Sequence, residues 1–342
     1  MPTASRFREE GRPKSLTLTQ AVSPILAVVN NGDATIRLYA LEGITGNSTP
    51  LLTLHTSPHP VALAFDPSGN LWVGGGSCAP GGPTGQFLEE FKAPFIEGEP
   101  PTLFPDLSLS GDVLTLAFDA SDHLWVGTYR CSRIGLIQEY TPSSSGLMAG
   151  MFLTPAGAPA GLAFDAQGNL WVGLVFDQGS EIQEYLAPSF SNAQLYSLPQ
   201  QTGGFASLAL DAVGNLYGLV GSTGAPLEEL PSGIQPPANG SNPFIQLFSL
   251  PSGIYGFGLA FDASGNLWLS SFNAKTRTGQ VQEASFLEHL HPLAQPPRIQ
   301  RSAEPGHLAD SSWASSELGW AVRAALDLPA PQRWTRATTH EP

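Results

Sequence analysis

His59, Asp112 and Tyr255 stand at one corresponding point of three repeated units, each seven residues before a recurring aspartate. An imidazole can serve as general base or metal ligand, a carboxylate can orient it, and a phenol can donate a proton or hydrogen bond. Two further units hold Ala158 and Gly204 at the same point. The blander reading makes all five ordinary loop residues beside a solvated channel.

A second set lies in segments that follow the recurring aromatic residue and vary between units: Tyr129, Arg130, Arg133, Asp177, Asn273 and Lys275. Arg130 and Arg133 are two of five cations in residues 41–286, and a guanidinium pair suits a carboxylate or an acidic partner. The two cysteines, Cys78 and Cys131, each lie six residues after a recurring Trp. They read either as two thiols or as a disulfide, if their Cα atoms come within about 6–7 Å. A disulfide would imply an oxidising compartment.

These groups are positioned by a repeat. The phrase Leu63-Ala-Phe-Asp-Pro-Ser-Gly-Asn-Leu-Trp72 recurs at Leu116–Trp125, Leu162–Trp171, Leu208–Tyr217 and Leu259–Trp268. Its aspartates, Asp66, Asp119, Asp165, Asp211 and Asp262, are 53, 46, 46 and 51 residues apart, which suits one four-stranded propeller blade per unit. Leu63 and Phe65 fall on one face of a strand, with Ala62 and Ala64 on the other. The Asp caps a tight hairpin closed by a left-handed Gly69, and the Trp packs between blades. Asp122 takes the glycine's place in the second unit. A further column, Leu88-Glu-Glu-Phe91 to Val281-Gln-Glu-Ala284, alternates as a half-buried third strand. Because every unit carries them, the Asp column and the Glu90, Glu139, Glu184, Glu229 and Glu283 column read as scaffold.

Ile25–Asn30, Thr35–Leu41 and Pro50–Leu54 form a partial unit lacking its first strand. The expectation is an all-β, six-bladed propeller of four-stranded blades: five full repeats and an N-terminal partial blade closed from the C-terminal region. Residues 1–20 are expected to be an irregular extension, 21–286 the propeller and 287–342 a tail. Within that tail a closing strand is expected near 305–310 and an amphipathic helix over 311–328.

Composition limits the partners. The formal net charge is −14, and residues 41–286 hold 20 acidic against five basic residues. Such a surface repels phosphate backbones, so no nucleic-acid partner is expected. No apolar run reaches the ~18 residues of a membrane helix, and no secretion signal is read in Met1–Gln20. A monomer is expected.

The phrase Leu-Ala-Phe-Asp-x-x-Gly-Asn-Leu-Trp, followed by Ile137-Gln-Glu-Tyr140, resembles NHL-repeat and SMP-30-like β-propellers, most closely the streptogramin-lyase-like ones. The resemblance covers residues 25–286. It implies a disc whose upper face carries the loops entering each first strand and those joining second to third strands, and an extracytoplasmic location. Streptogramin lyases use a histidine-centred site with magnesium; here His55 and His59 share one connection, and His123 sits in a hairpin turn expected on the opposite face. SMP-30-like lactonases hold a divalent metal with acidic and amide ligands, of which Asp112 alone is assignable. The function expected is a non-catalytic module whose upper loops bind a small-molecule or protein ligand, with no cofactor assigned. The alternative is a lyase or lactone hydrolase with a divalent metal, Mg or Ca, and His59, Asp112 and Tyr255 as catalytic candidates.

Overall fold

In the computed structural model, residues 6–9, 13–19, 24–42, 44, 48–79, 82–104, 111–129, 135–143, 146–175, 180–198, 204–222, 224, 226–237, 241–284 and 324–326 are described. They form six antiparallel sheets, one per blade of a β-propeller. Blade two runs Pro60–Phe65, Leu71–Ala79, Gly82–Phe91 and Thr102–Leu103, from the innermost strand outward. Blade three follows with Asp112–Phe118, Leu124–Tyr129, Gly135–Ser143 and Gly146–Leu153. Blades four and five repeat the pattern from Ala158–Phe164 and Phe205–Leu210.

The ring closes differently from the sequence expectation. Residues 1–20, expected to be irregular, contain two strands. Pro13–Thr19 is the missing first strand of blade one, paired with Ile25–Asn30. Arg6–Glu9 crosses to the sixth blade and pairs with Thr278–Ala284 as its fourth strand. The C-terminal region adds Ala324–Leu326, parallel to Pro13–Thr19 on its inner side. This three-residue strand falls inside the span expected to be helical. The rest of the expected helix and the closing strand near 305–310 lie outside the described residues. Edge pairing is made by backbone N–H and C=O groups that every sequence carries, so the closing segment needs no distinctive motif.

The recurring phrase acts as a hydrogen-bonded corner at the lower end of the blades that carry it. Asp66 Oδ1 accepts the Asn70 amide N–H at 2.8 Å, while Oδ2 accepts Asn70 Nδ2 at 2.8 Å and Trp72 Nε1 at 3.1 Å. Asp165 and Asp262 repeat the arrangement with Asn169 and Trp171, and with Asn266 and Trp268. The spacing i, i+4, i+6 is therefore a carboxylate with three donors. Gly69 (φ 85°) and Asp122 (φ 64°) both adopt the left-handed turn conformation.

Apolar cores lie between neighbouring blades. Leu63 and Phe65 pack on blade one, and Ala62 and Ala64 pack with Trp72 on Val113 and Leu116 of blade three. Trp125, 1% exposed, packs edge-on against Phe164 and Phe190 of blade four. Among the described residues no helix is long and apolar enough to cross a membrane.

Candidate functional site

The upper end of the disc is where the chain enters each first strand, and there the blades differ. The connection from blade one to blade two is tied down by Glu89, which is 1% exposed. Its carboxylate accepts hydrogen bonds from the Thr56 and Ser57 hydroxyls and the Ser57 N–H. Burial of a carboxylate is tolerable when donors surround it, and here three of them fix the loop. Asn31 Nδ2 adds a tie from blade one, donating to the Pro60 carbonyl at 3.1 Å.

The fixed loop delivers His59. Its side chain is exposed, and its backbone is left-handed at φ 63°, a conformation that costs energy for a residue with a Cβ. The His59 carbonyl accepts the Gly76 N–H at 3.1 Å. Gly76, at φ 152°, also lies against blade three: a Cβ there would stand 2.7 Å from Asp112 Oδ1. His59 and Asp112, on neighbouring blades, thus both meet Gly76. Asp112 is 7% exposed, and Tyr129 is its register partner on the next strand. The result is an arc running Asn31, Pro60, His59, Gly76, Asp112 and Tyr129 over three blades. Asn30, buried at the upper end of its strand in blade one, adds an amide on the same side.

Tyr255 stands on blade six, paired with Phe272. It is half-buried, and desolvation raises its phenol above the usual range, which keeps the proton on the oxygen. Asn273 is used by its own turn: its side-chain oxygen accepts the Lys275 and Thr276 N–H groups, leaving Lys275 exposed. Arg130, Cys131, Arg133 and Asp177 lie outside the described residues. Cys78 lies not in an open loop but within the strand Leu71–Ala79, opposite Pro83.

The scaffold columns behave as their repetition suggests. Glu184 accepts from Tyr196 Oη at 2.9 Å; burial raises its pKa, and the tyrosine bond partly offsets this. In the neighbouring column, Glu228 of blade five is 2% exposed, and its Oε2 meets no hydrogen-bond partner among the described residues. Desolvation raises its pKa. Glu89 and Gly76 are not among the residues that the sequence singled out. The available signal was Glu89 in a column where three blades have Gln138, Gln183 and Gln282.

A divalent metal on this face would need converging donors. Among the described residues, no three His, Cys, Asp or Glu side chains of the upper face bring ligand atoms within 4.8 Å of one another; one such trio lies on the lower face. The described upper face therefore does not fit a metal held by such a set.

No protein-family model matches the sequence, and no curated protein does. Solved structures do. A luciferin-regenerating enzyme shares 12% identity at a TM-score of 0.58, with 82% of this chain and 95% of that one covered. The periplasmic gluconolactonase of Pseudomonas aeruginosa shares 17% at 0.53, covering 78% and 83%. A catalytically inactive virginiamycin B lyase from Staphylococcus aureus, solved with quinupristin, shares 12% at 0.50, covering 83% and 100%. At these identities the likeness is one of fold, which in this chain is a six-bladed propeller.

Proposed function

We propose that the arc around His59 and Asp112 is a small-molecule site that carries out proton-transfer chemistry, as a lactone hydrolase or lyase. The observation that carries this is the meeting of His59 and Asp112 at Gly76. His59, its imidazole exposed, is held in a costly backbone conformation with its carbonyl on Gly76, and the buried Asp112 carboxylate packs on the same glycine. Left-handed backbone at a residue other than glycine persists where surrounding structure enforces it, and such positions gather at working sites. Glu89 and Asn31 supply that enforcement. The gluconolactonase and lyase neighbours favour a catalytic role for the face over the non-catalytic binding module expected from sequence.

In this reading His59 is the general base. It removes a proton either from water attacking a ring carbonyl or from a substrate carbon whose neighbouring C–O bond then breaks. The proton passes to the imidazole, and the ring oxygen leaves as a carboxylate (elimination) or is protonated as an alcohol (hydrolysis). Asp112 supplies a buried carboxylate on the neighbouring blade, with Tyr129 as its register partner. No step is routed through a metal.

A panel of small lactones and cyclic depsipeptides, incubated with the protein and read by product mass, tests this reading. Hydrolysis adds the mass of one water; elimination opens the ring at unchanged mass. Turnover that falls at least about 100-fold in Asp112→Asn supports the assignment, since general acid–base groups contribute about 10²–10⁴-fold. Saturable binding without turnover would return the face to a non-catalytic module. Neither binding nor turnover would remove the site from the arc.

A further inference from the structure

The lower corner of blade three departs from the others. In blades two, four and five the corner asparagine does two jobs. Its amide nitrogen donates to the aspartate, at 2.8 Å from Asn70, 2.9 Å from Asn169 and 2.8 Å from Asn215. Its carbonyl accepts a backbone N–H just beyond the third strand, from Ala93, Ala187 and Ser232 at 3.1, 3.0 and 2.9 Å. Blade three has His123 in place of the asparagine, and Pro142 where that N–H donor would stand. Proline has no N–H to give, so the clamp between corner and third strand is absent there.

What replaces it is a trio. His123 Nδ1 lies 3.3 Å from Asp119 Oδ2 and 2.9 Å from Glu139 Oε1. Asn169 in blade four bridges Asp165 and Glu184 similarly, at 2.9 and 3.4 Å. An amide nitrogen can only donate between two carboxylates, whereas an imidazole nitrogen can instead present a lone pair. We propose that Asp119, His123 and Glu139 form a binding site for a divalent transition metal of the zinc class, replacing the missing clamp.

The geometry fits. Ligands about 2.0–2.1 Å from a tetrahedral zinc are about 3.3–3.4 Å apart. The Asp119 contact already has that separation, and the Glu139 contact must open slightly. One nitrogen with two carboxylate oxygens suits zinc better than magnesium or calcium, which prefer oxygen alone. Both carboxylates are oriented from behind. Asp119 Oδ1 accepts the Ser121 and His123 N–H groups, and Oδ2 accepts Trp125 Nε1. Glu139 Oε2 accepts the Met151 N–H at 2.8 Å, with Gly150 allowing the close approach. Such outer partners hold metal ligands in place. On binding, the imidazole proton moves from Nδ1 to Nε2 and the metal takes the freed lone pair. The three side chains are 17–32% exposed, which leaves a fourth position for water.

Titration of the full-length protein with cobalt(II), read by visible absorption and reversed by zinc, decides the matter. His123→Asn installs the residue that four blades carry at this corner, and Glu139→Gln removes a second ligand. The expected result is one equivalent of cobalt with tetrahedral absorption bands. Both variants should weaken it by at least about 100-fold, the upper end of what an outer-shell partner is worth. Zinc should raise the melting temperature of the wild type and leave that of either variant unchanged. No saturable band would overturn the site, and equal binding in a folded variant would overturn it and move the metal to other histidines, such as His289 and His291. Should one variant fail to fold, the other gives the same decision.

Discussion

The two ends of the disc were built by different rules. At the lower end Asp66, Asp165 and Asp262 hold the same three donors at nearly the same distances. At the upper end the corresponding positions hold His59, Asp112, Ala158, Gly204 and Tyr255, and no two agree. A group repeated around a ring cannot converge on one ligand, so its hydrogen-bonding capacity is spent inside its own blade. Unlike residues on neighbouring blades can meet, as His59 and Asp112 do at Gly76. Repetition marks scaffold, and divergence marks the places where chemistry is proposed. Blade three refines the rule, because two linked exchanges at its lower corner, His123 and Pro142, bring a divergent site to the uniform end.

The largest effect should come from the uniform end. Trp125→Ala removes an almost fully buried indole from the core between blades three and four, and takes a donor from Asp119. A loss of about 3–5 kcal/mol is expected, read as a large fall in melting temperature. A loss under ~1 kcal/mol would mean that blade contacts are not what the corner exists to hold.

The Glu89 and Glu228 pair sharpens the comparison within one column. Glu89→Gln keeps shape but loses an oxygen that accepts from Thr56 and Ser57, and should cost about 1.5–3 kcal/mol, as for hydrogen bonds to charged groups. It should also loosen the loop that delivers His59, so ligand binding falls with stability. Glu228→Gln should act in the opposite direction and more weakly. Burial raises the Glu228 pKa, so the folded state binds its proton more tightly than the unfolded chain. That contribution is fully present below the unfolded value near 4.5 and is lost as pH rises through the folded value. Above the folded value the ionised, buried carboxylate therefore opposes folding, and there neutral glutamine should raise the melting temperature. The gain should shrink as the pH falls through the folded value and be gone below about 4.5, a trend that melting curves across pH would reveal.

Much of this was legible before any coordinates. Five copies of one phrase predict the blades, and the alternation of Leu63 and Phe65 with Ala62 and Ala64 predicts the two faces of the first strand. The constant spacing of Asp66, Asn70 and Trp72 also encoded a carboxylate with three donors, although turn capping alone was read from it. Closure by Arg6–Glu9 was hidden, because an edge strand pairs through backbone common to all sequences. The upper arc was only half visible. His59 and Asp112 stood out by residue type, but their meeting depends on a backbone bond to Gly76 and a glycine packed on another blade's carboxylate. No pattern within one unit reports a contact between units.

The most direct test of the central claim is kcat/KM for His59→Asn, measured with its melting temperature on the lactone or depsipeptide that the wild type opens. Asparagine tolerates the left-handed backbone at this position, so the fold should be retained and the melting temperature should stay near that of the wild type. The prediction is a fall in kcat/KM of at least about 100-fold, the lower range for losing a general base. Undiminished turnover in a folded His59→Asn protein would contradict the account and place the chemistry elsewhere on the disc.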